Sequence, residues 1–248
     1  MPNALVIDIS HHQPDPDWKA LKKGGTIGVI LKATEGSSYV DPTYGKRNVE
    51  ARAAGLCVAT YHFLKPGDTA ASQMDFYVKT VKPKDGDRLI IDYEANGLKI
   101  SDLETAIKRL AQIAPKCEIS VYGANGFLGA QLGGARNDVL ASTSLWIASY
   151  TSASVPTNRD LKGTWPVWSL WQYSDKGRVD GLDVNVDVNR WNGDPDKLPG
   201  WFNSSLMPEE TVTPVPPTPP VTTQPVVIEI KVPEGVSVVT VVNGKMLA

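Results

Sequence analysis

The chain has 248 residues and a formal net charge of -2, a length that allows one large barrel or two ordinary domains. The near balance of charge gives no basic surface for nucleic-acid phosphates, so we expect no nucleic-acid partner. No stretch approaches the roughly 18 consecutive apolar residues of a membrane span, so we expect no membrane partner either.

Short apolar runs recur along the first three quarters of the chain. They lie at 5–9, 27–31, 57–61, 89–93, 119–122, 145–148, 167–172 and 184–188. Runs that are apolar throughout, rather than alternating with polar residues, are typical of strands covered on both faces, as in a parallel sheet. The sequence therefore predicts eight strands.

Helical patterns separate the earlier strands. The segments 44–54 and 70–81 have helical periodicity, and a third helix is predicted to begin with Ser101 and Glu104 as a capping box. After about Gly133 the helical pattern weakens, so we expect loops between the last three strands. Alternation of strand and helix predicts an α/β fold, a β/α barrel.

The C-terminal fifth of the chain has a different composition. Seven prolines between 207 and 225 predict an extended linker that ends a barrel domain at 1–206. Residues 226–248 alternate like a β-hairpin with a turn at 233–235. Because an isolated hairpin is marginal in water, we expect this small β-rich tail to associate with itself, a partner or a cell wall.

Chemistry in a β/α barrel lies at the carboxyl ends of the strands. The polar residues at or just after the predicted strand ends are Asp8, Lys32 with Glu35, His62, Asp92 with Glu94, Tyr122, Gln172 and Asp187. Four of the five carboxylates in this set, all except Glu35, are therefore expected to converge on one face of the barrel.

Asp92 and Glu94 have the most informative spacing, since side chains at i and i+2 of a strand point to the same side. Two carboxylates in one cavity can divide the work of glycoside hydrolysis, one as acid and one as a charged stabiliser. Asp102 and Glu104 have the same spacing, but they lie at a predicted helix start, where capping explains them.

Each remaining residue also has a structural interpretation. Asp8 and Asp187 could cap strand ends, His62 could be a core histidine, and Lys32 with Glu35 could be a surface ion pair. Aromatic residues such as Trp146 suit either a core or the apolar face of a sugar.

Other site chemistries find little support. The two cysteines and three histidines lack zinc-like spacing, and no GxSxG elbow or glycine-rich phosphate loop occurs. We therefore expect no metal and no cofactor, and Cys57 and Cys117 are predicted to be buried free thiols, although a disulfide between them stays open.

Taken together, five blocks resemble the glycoside hydrolase family 25 muramidases, the Chalaropsis-type lysozymes, over about residues 3–192. The blocks are Asp8-Ile9-Ser10 with Gln13 and Trp18, Lys32-Ala33-Thr34-Glu35-Gly36 with Asp41-Pro42, Tyr61-His62-Phe63, Asp92-Tyr93-Glu94, and Trp171-Gln172-Tyr173 followed by Val186-Asp187-Val188-Asn189. Ala59 and His11-His12 depart from the usual family pattern without removing a carboxylate of the site.

The resemblance implies a flattened TIM-like barrel of five β/α units plus three further strands. It implies cleavage of the β-1,4 bond from N-acetylmuramic acid to N-acetylglucosamine, with Glu94 as general acid. Asp92 would then stabilise an oxazolinium formed by the substrate, with Asp8 and Asp187 in support, although a direct nucleophile or a water-mediated route stays open. The residues expected to bind substrate are Lys32, Glu35, Tyr61, His62, Tyr122, Trp146 and Gln172.

The expected partner is bacterial peptidoglycan. The start of the chain has no basic or long apolar leader, which predicts cytoplasmic synthesis and suits an endolysin released to the wall. A virion lysin or an autolysin would fit the same features. The rival functions are a catalytically silent glycan-binding module, a structural virion protein and a chitinase-like hydrolase.

Overall fold

The computed structural model describes residues 5–156, 159–206, 240–242 and 245–247. The chain divides into two compact units, Met1–Pro208 and Glu209–Ala248. No helix in the described part of the chain combines the length and apolar character needed to cross a membrane.

The first unit is a closed barrel. Its strands are β1 (Val6–Ile9), β2 (Gly28–Glu35), β4 (Cys57–Phe63), β5 (Arg88–Asp92), β6 (Glu118–Ala124), β7 (Ser144–Ala148), β8 (Leu170–Val179) and β9 (Leu182–Trp191). A short outer strand, β3 (Tyr39–Val40), pairs with the end of β2. Neighbouring strands from β1 to β8 are parallel, whereas β9 runs antiparallel to both β8 and β1 and closes the barrel.

The barrel domain contains seven α-helices in its described residues. They are α1 (Trp18–Lys23), α2 (Tyr44–Ala53), α3 (Ala70–Val81), α4 (Ile100–Ile113), α5 (Asn125–Leu132), α6 (Asp138–Ala141) and α7 (Leu198–Phe202). The first five follow β1, β2 with β3, β4, β5 and β6, so the five β/α units and three further strands are confirmed. No α-helix occurs in the described residues between β7 and β9, which agrees with the fading helical pattern.

The start of α4 corrects one local prediction. The residue that precedes α4 is Lys99, and its backbone N–H donates to the Asp102 carboxylate at 2.8 Å. Glu104 instead accepts from the Asn137 side-chain amide at 2.7 Å. The predicted capping pair of Ser101 and Glu104 is therefore wrong, because the capping residue is Lys99, two positions earlier than predicted, and the capping carboxylate is Asp102.

The barrel interior is closed at the amino ends of the strands by α7. Trp201 and Phe202 of α7 pack with Val6, Ile30 and Leu170 in one buried cluster. A Cβ atom on Gly28 would lie 2.2 Å from the Phe202 ring, so only glycine leaves room for this close approach. The carboxylates predicted for the site line a cavity at the opposite, carboxyl end of the barrel.

Two further predictions concern the thiols and the tail. Cys57 and Cys117 are free and half-buried rather than buried. In the second unit, β10 (Thr240–Val242) pairs antiparallel with β11 (Lys245–Leu247). The linker 207–225, the predicted strand partner 226–230 and the turn 233–235 lie outside the described residues.

Candidate active site

Strand alternation separates the barrel interior into an apolar layer and a polar layer. The apolar layer includes Val6, Ile30, Ala59, Ile90 and Leu170. The residues two positions later on the same strands are Asp8, Lys32, Tyr61, Asp92 and Gln172. Because residues at i and i+2 share a face, the polar set lies on top of the apolar set at the carboxyl ends of the strands.

A cavity of about 230 Å³ opens above this layer. It is lined by Asp8, Tyr61, Asp92, Glu94, Tyr122, Trp146, Tyr150, Gln172 and Asp187. The structure thus brings together all four predicted carboxylates and four of the seven residues predicted to bind substrate.

Asp8 lies at the centre of a hydrogen-bond network. The Gln172 side-chain amide donates to both Asp8 carboxylate oxygens at 3.1 Å, and the Asn189 amide donates to one of them at 2.7 Å. The Trp146 indole N–H in turn donates to the Asn189 Oδ1 at 2.7 Å. Asp8 is therefore held in one orientation despite being buried.

Two tyrosines fix the orientation of Gln172. The hydroxyls of Tyr122 and Tyr150 donate to the Gln172 Oε1 at 2.9 and 2.8 Å. With its oxygen occupied by two donors, Gln172 can present only its NH₂ group to Asp8.

Asp92 is buried, and its Oδ1 has no hydrogen-bond partner among the residues that the structure describes. Burial, followed by the negative charge of Glu94, raises the pKa of Asp92 well above its usual range. A buried acceptor without a donor is costly, so a ligand that supplies an N–H or O–H at this atom would be bound favourably.

Glu94 stands at the pocket mouth, two residues beyond Asp92, and its side chain is exposed. The pocket walls still remove part of its water, and this partial desolvation raises the pKa of Glu94, while the charge of Lys32 lowers it. Glu94 can thus carry a proton and still reach a ligand in the cavity.

The opposite wall carries the other two carboxylates. Burial and the charge of Asp187 raise the pKa of Asp8 to about 8. Desolvation and the charges of Asp175 and Glu94 raise the pKa of Asp187 to about 6. At neutral pH the four carboxyl groups of the site therefore carry fewer than four negative charges.

Lys32 and Glu35 lie beside the cavity rather than in its wall. The buried Lys32 ammonium donates to Glu35 at 2.7 Å, and Lys65 contacts the other Glu35 oxygen at 3.0 Å. The Lys32 charge lowers the pKa values of both Asp92 and Glu94. In the free protein, Lys32 therefore acts on the site through its positive charge.

His62 is placed away from the cavity. It is fully buried, and its ring contacts Thr34 at 2.8 Å and Gln73 of α3 at 3.1 Å. Tyr61 faces the cavity, so strand alternation turns His62 toward the helices. Burial lowers the pKa of His62 to about 4, which leaves a neutral core histidine with no surface for a ligand.

The sequence analysis did not single out Tyr150 or the role of Asn189. Tyr150 lies in the connection after β7, where no periodic pattern distinguishes it, whereas Asn189 lies buried in β9. Asn189 follows Asp187 by two residues, and this spacing was the available signal that both face inward.

The comparisons with known proteins agree with this geometry. A model of the glycosyl hydrolases family 25 matches residues 7–182. Lysozyme M1 of Streptomyces globisporus is 28% identical over 214 residues, which cover 80% of this chain and 71% of that protein. The N,O-diacetylmuramidase of Chalaropsis sp is 27% identical over 208 residues, 77% of this chain and 95% of that protein.

A solved structure extends the likeness to the fold. The bacterial lysozyme from Streptomyces coelicolor matches with a TM-score of 0.71 at 27% identity, covering 82% of this chain and 98% of that one. The family match spans well over half of the chain and includes Asp8, Asp92 and Glu94. The chain belongs to glycosyl hydrolase family 25.

Proposed function

We propose that the protein is a peptidoglycan muramidase that hydrolyses the β-1,4 bond between N-acetylmuramic acid and N-acetylglucosamine. The family membership and the lysozyme and muramidase relatives support this activity. The observation that supports this activity for the present chain is the single cavity lined by Asp8, Asp92, Glu94 and Asp187. A catalytically silent glycan-binding module would have no need to keep four carboxylates together at an electrostatic cost.

Glu94 is the proposed general acid. Its exposed side chain at the mouth can reach the oxygen of the leaving sugar, and its raised pKa favours the protonated form that must donate. Proton transfer from Glu94 to the glycosidic oxygen accompanies C–O cleavage and neutralises the leaving alkoxide.

Asp92 is the proposed partner of the sugar's 2-acetamido group. Its unpartnered Oδ1 can accept the acetamido N–H, which orients the acetamido carbonyl oxygen toward the anomeric carbon. Attack by that oxygen on the anomeric carbon, as the bond to the leaving oxygen breaks, would give an oxazolinium whose positive charge an ionised Asp92 stabilises. Water then adds to the anomeric carbon and restores the acetamido group, and the Glu94 carboxylate accepts the proton that the water releases.

These roles require a proton on Glu94 and an ionised Asp92 when the substrate is bound. In the free protein desolvation raises the pKa of both groups, and Asp92 is buried whereas Glu94 is exposed, so burial favours a proton on Asp92. A hydrogen bond from the substrate amide stabilises the ionised form of Asp92 and lowers its pKa. Substrate binding would thus leave the shared proton on Glu94, where catalysis needs it.

Asp8 and Asp187 are proposed to hold the charge and the geometry opposite Asp92 and Glu94. With pKa values of about 8 for Asp8 and about 6 for Asp187, Asp187 carries most of the negative charge at neutral pH. Asp8 is fixed by Gln172 and Asn189, so this side of the site does not reorganise during the reaction.

The identity of the new reducing end tests this function. We expect purified peptidoglycan treated with the protein to yield reducing N-acetylmuramic acid, detected by borohydride reduction and mass spectrometry. Glycan from which the acetyl groups have been removed should be cleaved much more slowly, because it lacks the group that Asp92 is proposed to hold. Reducing N-acetylglucosamine, or preferential cleavage of chitin fragments, would contradict the proposal.

The proposed place of action is the bacterial cell wall, as for an endolysin.

The tail at 226–248 is proposed to mediate self-association or contact with a partner or the wall. Comparison of the native mass of the full chain with that of a chain ending at 206 tests the self-association, which an unchanged oligomeric state would contradict.

A further inference from the structure

A second cavity lies on the flank of the barrel, between α2 and the segment that follows α3. Its volume is about 170 Å³, and its walls include residues 58–60 of β4 and 88–89 of β5. These residues lie in the amino-terminal halves of their strands, whereas Asp92 and Glu94 lie at the carboxyl end of β5. The two cavities have no lining residue in common, so this one is separate from the active site.

Positive charge predominates in the walls of this second cavity, the basic cavity. Its charged lining residues, all within the described part of the chain, are Arg52, Lys82, Lys84, Arg88 and a single acid, Asp87. The Asp87 carboxylate accepts hydrogen bonds from the Asn203 side-chain amide and from the Lys84 backbone N–H, both at 2.9 Å. Because neutral donors occupy both Asp87 oxygens, the basic side chains around the cavity keep an excess of positive charge.

Three of the four basic side chains are available to a ligand. Arg88 is not, because its guanidinium donates to the Ser120 and Ser144 hydroxyls inside the barrel at 2.9 Å. No carboxylate of residues 5–156 or 159–206 lies at ion-pair distance from the other three, which are Arg52, Lys82 and Lys84. Unpaired cations gathered around one cavity attract an anion.

Tyr44 supplies a neutral donor in the same cavity. It precedes Arg52 by eight residues, about two turns, on α2, and it is only 8% exposed. Its hydroxyl has no hydrogen-bond partner within the described ranges. Burial raises the pKa of Tyr44, on which the charges of Arg52 and Asp87 also act, so the hydroxyl stays protonated at neutral pH. A largely buried donor without an acceptor is costly, and an oxygen of a bound anion would satisfy it.

Lys82 has a strained backbone at the edge of the cavity. Its φ of 47° and ψ of 63° are left-handed, and no other residue besides glycine has a positive φ in the described part of the chain. Glycine is the usual residue in this conformation at the end of a helix, and Pro83 disfavours a helical backbone at the residue before it. A lysine here therefore carries a conformational cost, as residues of binding sites often do.

We propose that the basic cavity binds a phosphate group through Arg52, Lys82 and Lys84, with the Tyr44 hydroxyl as a neutral donor. Three positive charges match a phosphate better than the single charge of a carboxylate, and arginine and lysine are the side chains that bind phosphate oxygens most often. A free phosphate ion and a phosphodiester polymer present the same group. This inference is independent of the proposed activity, since phosphate binding is measured without a glycan substrate.

An NMR titration of the isotope-labelled full chain with inorganic phosphate tests the site. We expect saturable shifts of backbone amide signals at 48–52 and 82–89, with a Kd of about 1–10 mM at low ionic strength. Acetate at the same ionic strength is the comparison anion and should give no saturable shift at these positions. Shifts spread over the whole surface, or equal saturation by acetate, would overturn the proposal.

Variants of the cavity walls test the individual contacts. Arg52→Gln and Lys84→Gln should each weaken phosphate binding by about five- to ten-fold, and Tyr44→Phe by about three-fold. Lys79→Gln is the matched control, since Lys79 is an exposed lysine of α3 outside the cavity walls, and it should bind phosphate within about two-fold of the wild type. Wild-type binding by Arg52→Gln and Lys84→Gln would overturn the proposal.

Lys82→Gly separates a binding role from a structural one. Glycine relieves the left-handed backbone and removes the charge, so we expect Tm to rise by about 2–4 °C while phosphate binding weakens by about five- to ten-fold. A rise in Tm with unchanged phosphate binding would remove Lys82 from the site and overturn the proposal in this form.

A short glycerol-phosphate oligomer distinguishes the two sources of the phosphate group. Tighter binding of the oligomer than of inorganic phosphate, at equal phosphate concentration, would support the proposal with a phosphodiester polymer as the ligand. Saturable binding of inorganic phosphate alone would support it with the free ion as the ligand. Binding of neither would overturn it.

Discussion

Gln172 shows how one neutral side chain can organise a charged site. Its oxygen accepts from two tyrosines, which leaves its NH₂ group for both oxygens of Asp8. A carboxylate of the same shape would offer only acceptors at this position. The preference for an amide at position 172 is therefore a consequence of Asp8 being buried beside it.

We expect Gln172→Glu to destabilise the protein by about 3 kcal/mol at about pH 8, because it places a second buried carboxylate against Asp8. The loss should shrink at about pH 4, where protonation relieves the repulsion. Denaturant unfolding at the two pH values measures it. Gln131→Glu is the matched control, since Gln131 is exposed and its side-chain oxygen accepts a hydrogen bond from the Tyr93 hydroxyl. Equal losses of unfolding free energy in the two variants would contradict the explanation.

Asp187 gives a prediction for the pH dependence of stability. Its pKa is raised to about 6 by desolvation and by Asp175 and Glu94, from a usual value of 3.8. The folded state therefore binds more protons than the unfolded state between these values, and the stability contributed by this group is lost as the pH rises through that window.

Asp187→Asn should consequently be more stable than the wild type above about pH 6 and equal to it near pH 4. Because solvent screens a partly exposed charge, we expect a gain of about 1 kcal/mol in the free energy of unfolding, which corresponds to a rise in Tm of about 2–4 °C. Thermal unfolding at several pH values checks this, and Asp175→Asn, at an exposed position, should give a smaller effect. A gain that is constant with pH would rule out the charge as its cause.

At the scale of elements, the sequence predicts long amphipathic segments best. The segment 70–81 coincides with α3, because its apolar stripe spans three turns and Thr69 caps its first turn through Ser72 N–H. The strand β3 and the helix α7 have 2 and 5 residues. Elements this short contain too few positions for a periodic pattern, so neither was predicted.

Site residues on strands could likewise be predicted, whereas a site residue in a loop could not. Residues on strands, such as Asp8, Asp92 and Asp187, could be placed from the i and i+2 rule. For His62 the same rule favours the core histidine, because its neighbour Tyr61 faces the cavity and alternation turns His62 toward the helices. Tyr150 could not be placed, since its contact with Gln172 joins a loop to a strand 22 residues away.

The packing of α7 against β2 gives a prediction at this scale. Gly28→Ala should destabilise the protein by about 1–3 kcal/mol, because its Cβ would lie 2.2 Å from the Phe202 ring. Combined with Phe202→Leu, the cost of Gly28→Ala should fall, which a double-mutant cycle of unfolding free energies measures.

Gly45→Ala is the control for this cycle. Nothing lies within 4 Å of a Cβ at Gly45 in α2, so alanine there should stabilise the helix by about 0.5–1 kcal/mol. Additive effects of Gly28→Ala and Phe202→Leu would contradict a contact between them.

At the scale of the whole molecule, the barrel contains every described residue of the proposed site. The unit Met1–Pro208 includes the closed sheet and α7, and α7 closes the barrel at the amino ends of the strands. We expect a chain ending at residue 206 to keep the Tm of the barrel and its kcat on soluble oligosaccharides, both measured beside the full chain. A large loss of either quantity would show that the tail belongs to the catalytic unit.

The central claim is that Glu94 supplies the proton to the leaving sugar while Asp92 acts on the acetamido group. The most direct measurement compares Glu94→Gln and Asp92→Asn on peptidoglycan oligosaccharides and on aryl glycosides whose leaving group needs no proton. Glu94→Gln should lose about 10²–10⁴-fold in kcat on the oligosaccharides but far less on the aryl glycosides. Asp92→Asn should be slow on both, and an equal loss by Glu94→Gln on the two substrates would contradict the assignment.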